Sequence, residues 1–217
     1  LSVFDGGIVV QGEKRKVLLD FESEYQHIIN GRRITVGQPK KYHNTIYTHG
    51  ACTWRGTGVE DQDTIASILQ KHVNEQYANS YKVVNSAIGR GSSIRDDFEF
   101  IKEQSYTAGD IVIIGSHGSA INSISPQYFE KIGISYIEVS SCFNRPHNFG
   151  EWFNDNTLHT NKRGNRVIAQ KIYDKLVSLN WLKQLSSDIM SARKPPMPKD
   201  IATLTKGEKI YGDNPEL

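Results

Sequence analysis

The alternation of strand-like and helix-like segments from residue 44 onward constrains the fold of this chain most strongly. Short apolar runs, typical of buried strands, alternate with longer segments in which apolar residues recur at helical spacing. The predicted strands are residues 45–47, 81–84, 111–114 and 135–139. The predicted helices are residues 64–77, 94–104, 126–132 and 165–179. This alternation predicts an α/β fold, a three-layer α/β/α sandwich with helices on both faces of a parallel sheet.

Segments of different character flank the α/β region. Two apolar runs, residues 7–10 and 17–19, surround a polar turn and predict a hairpin, and residues 34–36 predict a further strand. After Trp181 the chain becomes rich in Pro and Lys, which favours an extended tail or a linker. We therefore predict three units: a β-rich appendage over 1–43, an α/β domain over 44–182 and a tail over 183–217. Because the first residue is Leu1, we expect a piece of a longer protein with further domains.

Charge and cysteine content limit the classes of partner. The chain has 26 basic and 24 acidic residues, a balance that favours neither nucleic acid nor an acidic membrane. No apolar run approaches the roughly 20 residues of a membrane span. The two cysteines are far apart in sequence, which favours a reducing cytoplasm over a disulfide framework. No Cys or His spacing indicates zinc and no glycine loop matches a phosphate-binding motif, so we expect neither metal nor cofactor.

Cys52 is a candidate nucleophile because of where it lies in the sequence. It sits on a glycine-flanked turn between the strand-like run at 45–47 and the helix-like run at 64–77. Small neighbours let a substrate approach a side chain at such a turn, and thiols are strong nucleophiles. The alternative is a buried cysteine that packs as a small hydrophobic residue.

His159 is a candidate general base just before the last predicted helix. Asn156 and Asp155, a few residues upstream, could each accept a hydrogen bond from the histidine ring and so hold the tautomer that a base requires. A solvated loop histidine is the structural alternative.

Two further loops follow predicted strands, where ligands collect in doubly wound sheets. Backbone N–H groups at Ala87 and Gly89 could face an oxyanion, and His117 could donate to the same oxyanion. Both loops could equally be turns shaped by their glycines. Cys142 could line the pocket or be a core thiol, and His147 has no matching ligand partner in the sequence.

The order of these segments resembles the SGNH, or GDSL-type, hydrolase superfamily over about residues 44–180. The resemblance is carried by the spacing Gly50-x-Cys52, Gly56-x-Gly58-Val59-Glu60-Asp61, Thr64-Ile65 and Leu69-Gln70, and by His159, Gly164-Asn165 and Ile168-Ala169. It implies a flavodoxin-like sheet and an acyl-transfer site. In that family the first block carries a serine nucleophile, later blocks supply oxyanion donors, and the last supplies an acid and a histidine base.

The signature side chains differ from the family pattern. Cys52 stands at the serine position and His117 at the asparagine position. Ala87 stands at a glycine position, with Gly89 as a substitute donor, and Asn156 replaces the aspartate.

These differences allow three interpretations. The first is a working Cys52–His159–Asn156 triad, which would cleave or transfer an acyl group from a carbohydrate ester or a small acyl ester or thioester through an acyl-Cys52 intermediate. Asp155 could orient the base instead of Asn156, and the Cys52 N–H would join the oxyanion donors. The second is a catalytically degenerate domain that binds an acylated or glycosylated ligand. The third is an engineered Ser→Cys change at position 52.

Overall fold

The computed structural model describes residues 8–89, 92–115, 149–154 and 159–183. The first elements are two small antiparallel sheets. One pairs β1 (Val9–Gln11) with β2 (Lys16–Leu18), and the other contains β3 (Phe21–Glu22), β4 (His27–Ile29) and β5 (Arg32–Arg33). Asn30 and Gly31 join β4 to β5 with positive φ angles of 53° and 68°, as a two-residue primed turn requires. The predicted first hairpin is confirmed.

The predicted strand over residues 34–36 is wrong. Pairing with β4 ends shortly after β5, where the Ile34 N–H donates to the His27 carbonyl. The Val36 N–H then donates to the Ser67 hydroxyl at 3.0 Å. The segment therefore leaves the small sheet and lies against the helix that contains Ser67.

The remaining elements form the α/β part of the molecule. Its strands are β6 (Asn44–His49), β7 (Tyr81–Asn85) and β8 (Ile111–Ile114). Its helices are α1 (Cys52–Arg55), α2 (Ile65–Tyr77), α3 (Ile94–Glu103), α4 (Phe149–Trp152) and α5 (Lys162–Ser178), with a 3-10 turn at Asp61–Asp63. Three of the predicted strands and three of the predicted helices are confirmed, while residues 126–132 and 135–139 lie outside the described part.

The three strands form a parallel sheet in the order β7-β6-β8. Helices α2 and α5 pack together on one face, where Ile46, Leu69 and Ile172 belong to one buried apolar cluster. On the other face, the α3 residue Phe100 meets the ring of His49 edge to face. The predicted α/β class is thus confirmed as a parallel sheet flanked by helices.

Helix ends follow local capping chemistry. The Thr64 side chain accepts a hydrogen bond from the Ser67 N–H at the start of α2, and Ser93 and Asp96 form a reciprocal capping box at the start of α3. Helix α5 begins three residues earlier than predicted because the Asn161 side chain accepts from the Arg163 and Gly164 N–H groups. No described helix has both the length and the apolar character of a membrane span.

Candidate functional site

Cys52 lies at the carboxyl end of the central strand. β6 ends at His49, Gly50 follows with φ of 144°, and Cys52 is the first residue of α1. The helix ends after one turn at Gly56, whose φ of 92° is in the left-handed region. Cys52 therefore lies between β6 and α2 as predicted, but within a one-turn helix that the sequence analysis did not predict, and its side chain is half-buried.

Arg33 anchors the segment that follows α1. Its Nε donates to Asp61 Oδ1 at 2.8 Å, and its Nη2 donates to the Val59 carbonyl at 2.6 Å. Its Nη1 donates to the Gly56 carbonyl. Arg33 is only 2% exposed, so these partners take the place of its hydration shell. Sequence reasoning missed this residue, because these three partners lie 23 to 28 positions away along the chain.

Asp61 connects the same segment to β4. Its Oδ2 lies 2.7 Å from His27 Nδ1 and accepts from the His27 N–H at 3.1 Å. The Asp61 N–H donates to the Tyr25 carbonyl. The β3-β4-β5 sheet therefore holds the chain between α1 and α2 through both oxygens of the Asp61 carboxylate.

Asn85, the last residue of β7, organises the predicted oxyanion loop. Its Nδ2 donates to the Trp54 and Arg55 carbonyls at 3.1 and 3.3 Å, which joins the end of α1 to β7. Its Oδ1 accepts from the Ala87 N–H at 3.2 Å. Of the two predicted backbone donors, Ala87 is thus already bonded within its own loop, and Gly89 is the better candidate.

Gly89 lies directly against the side chain of Arg55. A Cβ atom at Gly89 would be 2.6 Å from Arg55 Nε, and the backbone there has a positive φ of 97°. Arg55 is 1% exposed, so its guanidinium is enclosed beneath this loop. Only glycine meets both conditions at position 89.

His159 lies in a loop that is bonded to the segment following α1. Its carbonyl accepts from the Asn154 N–H at 2.7 Å, and Phe153 pairs with Thr160 in an antiparallel bridge. The Asn154 side chain in turn donates to the Gly58 carbonyl at 3.2 Å. Two hydrogen bonds, both donated by Asn154, therefore connect the His159 backbone to the chain that leaves helix α1.

Other predicted site residues cannot be placed in this arrangement. Asp155, Asn156, His117, Cys142 and His147 lie outside the described residues. The described part brings Cys52, Ala87 and Gly89 to the carboxyl ends of β6 and β7, and His159 to the adjoining loop.

Trp54 covers the carboxyl ends of β6 and β8, a feature that sequence reasoning also missed. A Cβ atom at Gly115 would lie 1.7 Å from the indole Nε1, and one at Gly50 would lie 2.7 Å from the indole Cδ1. The ring therefore fills the space that side chains at Gly50 and Gly115 would take. The sequence shows a tryptophan and a glycine after each of two predicted strands, but it does not show that the indole lies against both glycines.

His49 is a buried titratable group on the α3 face of β6. Neither ring nitrogen has a hydrogen-bond partner among the described residues, and the side chain is fully buried. Burial, and then the positive charges of Arg32 and Arg15, lowers the pKa of His49 to about 3. The ring is therefore neutral at pH 7.

Fold and site together define an α/β protein with a cysteine at the carboxyl end of the central parallel strand. Comparisons with protein-family models, curated proteins and solved structures find no match for this chain. Within the described residues, no three His, Cys, Asp or Glu side chains are grouped so that they could hold a metal ion.

Proposed function

We propose that this chain is an SGNH-like ester hydrolase or acyltransferase that works through an acyl-Cys52 intermediate. The position of Cys52 carries the proposal: it is the first residue after the turn that leaves the central strand. The hydrogen bonds through Asn154 to Gly58 support it, because they bring the His159 loop to the same segment.

The strand order supports the finer fold assignment, a flavodoxin-like three-layer sandwich. In chain order, β6, β7 and β8 are the first, second and third parallel strands, so the order β7-β6-β8 reads 2-1-3. Flavodoxin-like sheets begin with this order, and they bind ligands where the first and third strands end. Cys52 follows the first strand, and residue 117 follows the third.

The proposed reaction uses the groups that the sequence predicts. His159 takes the thiol proton, the Cys52 sulfur attacks the acyl carbonyl carbon, and the oxyanion accepts from the N–H groups of Cys52 and Gly89 and from His117. The tetrahedral intermediate collapses with loss of the alcohol, which takes the proton from His159. Water or an acceptor hydroxyl then attacks the thioester and restores the thiol. Asn156 or Asp155 orients His159.

The proposed substrate is an acylated carbohydrate or a small acyl ester or thioester. A thioester intermediate lets acceptors other than water compete, so transfer and hydrolysis share one mechanism. A reducing compartment such as the cytoplasm suits this chemistry, because it keeps Cys52 reduced.

Mass spectrometry after incubation with p-nitrophenyl acetate tests the proposal. We expect an acetyl adduct on the Cys52 peptide that is absent from Cys52→Ala. The adduct should persist longer in His159→Ala, because the activated ester reacts without a base whereas deacylation needs one. Cys142→Ala and His72→Ala are matched controls and should behave as the unaltered chain does. Absence of a Cys52 adduct with every activated ester would refute the acyl-enzyme mechanism.

One observation favours a second candidate, a non-catalytic domain that binds an acylated or glycosylated ligand. The Ala87 N–H donates to Asn85 and is therefore not directed at an oxyanion. This candidate predicts saturable binding of an acetylated sugar by calorimetry together with no adduct on Cys52.

A further inference from the structure

The side-chain amide of Asn85 joins the two segments that carry the proposed oxyanion donors. Its Nδ2 donates to the Trp54 and Arg55 carbonyls at the end of α1, and its Oδ1 accepts from the Ala87 N–H. Helix α1 begins at Cys52, and Ala87 lies in the loop that follows β7. One side chain therefore bonds the helix that carries the nucleophile to this loop.

An asparagine matches these partners where other side chains of its size do not. The last carbonyls of a helix have no partner within the helix, so α1 presents acceptors while the Ala87 N–H presents a donor. A carboxylate in the same place would have an acceptor for Ala87 and no donor for α1. Asn85 has no exposed surface, so water would not replace the lost bonds.

The far end of the loop also lies against α1. A Cβ atom at Gly89 would be 2.6 Å from Arg55 Nε. The Gly89 carbonyl accepts from the Ser92 N–H and hydroxyl at 3.0 and 2.7 Å. No described residue accepts from the Gly89 N–H, although Gly89 is buried. The part of the loop in contact with α1 thus contains a buried donor without a described partner, which calls for a functional reason.

We propose that Asn85 is a positioning residue that fixes the place of the Gly89 N–H relative to the Cys52 N–H. The inference rests on the proposed function, in which these two N–H groups receive the oxyanion. Asn85 acts through the backbone, because it bonds the end of α1 and the start of the loop. Donors that are held in place before the reaction need no reorganisation when negative charge develops on the acyl oxygen.

Two reactions at Cys52 separate positioning from general structural support. Acylation by p-nitrophenyl acetate passes through an oxyanion: a sulfur–carbon bond forms, and p-nitrophenolate leaves with the electrons of the broken C–O bond. Alkylation by iodoacetamide forms a sulfur–carbon bond while iodide leaves with the C–I electrons, and no oxyanion develops. Mass spectrometry of the Cys52 peptide would give both rates, and their ratio reports the oxyanion donors.

We expect Asn85→Asp to lower the ratio of acylation to alkylation by about 10²-fold, the usual cost of losing one oxyanion donor. Gln70→Glu is the matched control. Gln70 is also fully buried, and its amide joins α2 to β7 through the Val83 N–H at 2.6 Å and the Tyr81 carbonyl at 3.2 Å. This variant should lose stability and keep the ratio of the unaltered chain.

Alanine variants decide the question if the carboxylate variants do not fold, as judged by circular dichroism. Asn85→Ala removes all three bonds of the amide, whereas Gln38→Ala removes a side-chain bond to the Val83 carbonyl of the same strand. The ratio should fall in Asn85→Ala and stay unchanged in Gln38→Ala.

A ratio in Asn85→Asp equal to that of the unaltered chain would overturn the inference, while acylation of Cys52 would still support the proposed function. Equal falls in Asn85→Asp and Gln70→Glu would overturn it as well, because the loss of any buried amide on β7 would then have the same effect. Normal alkylation of Cys52 without acylation in the unaltered chain would refute the proposed function, and the inference with it.

Discussion

His49 shows how one buried side chain makes the stability of the fold depend on pH. Its pKa is lowered from 6.5 to about 3, first by burial and then by Arg32 and Arg15. At pH values between these two pKa values, the His49 ring is protonated in the unfolded chain and neutral in the folded chain. The free energy of unfolding therefore falls as pH falls through this window, by about 1.4 kcal/mol per pH unit for one proton.

His49→Phe should remove this contribution to acid sensitivity. The phenyl ring keeps an aromatic contact with Phe100 and has no nitrogen to protonate. We expect a smaller decrease in the urea-derived free energy of unfolding between pH 7 and pH 4 than in the unaltered chain. His43→Phe, on the segment just before β6, controls for the loss of a histidine. An equally steep decrease in His49→Phe would show that other groups cause the acid sensitivity.

At the scale of elements, the contact between β5 and the loop after α1 depends on one cation. Arg33 neutralises Asp61 and satisfies the backbone carbonyls of Gly56 and Val59 in a region that water does not reach. Removal of one partner from such a buried pair leaves a charge and several acceptors unsatisfied. The loop that carries the chain from Cys52 to α2 would then lose its main support.

Arg33→Met should lower the free energy of unfolding by about 3–5 kcal/mol, the usual cost of breaking a buried ion pair. Arg163→Met is the matched control, since Arg163 pairs with Glu151 at 2.9 Å while its side chain is 62% exposed. That variant should lose less than about 1 kcal/mol. Urea denaturation measures both, and similar losses in the two variants would contradict the role of Arg33.

Local sequence patterns are sufficient to predict helix α2 but not the path of residues 34–36. Helix α2 has its Thr64 cap and a buried face that recurs at helical spacing, so its bounds follow from nearby residues. The segment 34–36 also looks strand-like, but Ser67 bonds Val36 and draws the chain away from β4. A residue 31 positions away decided that outcome, and no local pattern encodes it.

Across the whole molecule, the N-terminal residues pack into the α/β part rather than merely preceding it. The Lys16 N–H donates to Asp96 on α3 at 2.8 Å, and the Gln38 side chain donates to the Val83 carbonyl on β7 at 2.5 Å. Together with the hydrogen bonds of Arg33, these bonds attach the N-terminal residues to helix α3, to strand β7 and to the loop after α1. We therefore expect residues 8–36 to unfold together with the parallel sheet.

Native-state hydrogen exchange checks this expectation. The Ile28 amide, in the middle of the small β3-β4-β5 sheet, should exchange with a free energy and a denaturant dependence close to those of Val83 in β7. In Arg33→Met the Ile28 value should fall further than the Val83 value, because the docking contact is lost. Exchange of Ile28 at a much lower free energy in the unaltered chain would mean that the N-terminal sheets open independently.

The sequence alone determined the alternation of strands and helices, the placement of Cys52 shortly after β6, and the starts of α2 and α3 to within one residue. These depend on residue spacing and on hydrogen bonds between near neighbours, which a linear chain displays. The position of His159 before α5 was also readable, although the hydrogen bonds that link its loop through Asn154 to Gly58 were not.

Only the tertiary structure decided that Arg33 supports the loop after Cys52, that Asn85 engages the Ala87 N–H, and that Trp54 lies over Gly50 and Gly115. Each of these contacts depends on how strands lie beside one another and on which space their neighbours leave. The physical reason is that burial and pairing are properties of the packed chain, whereas sequence patterns report mainly what adjacent residues favour.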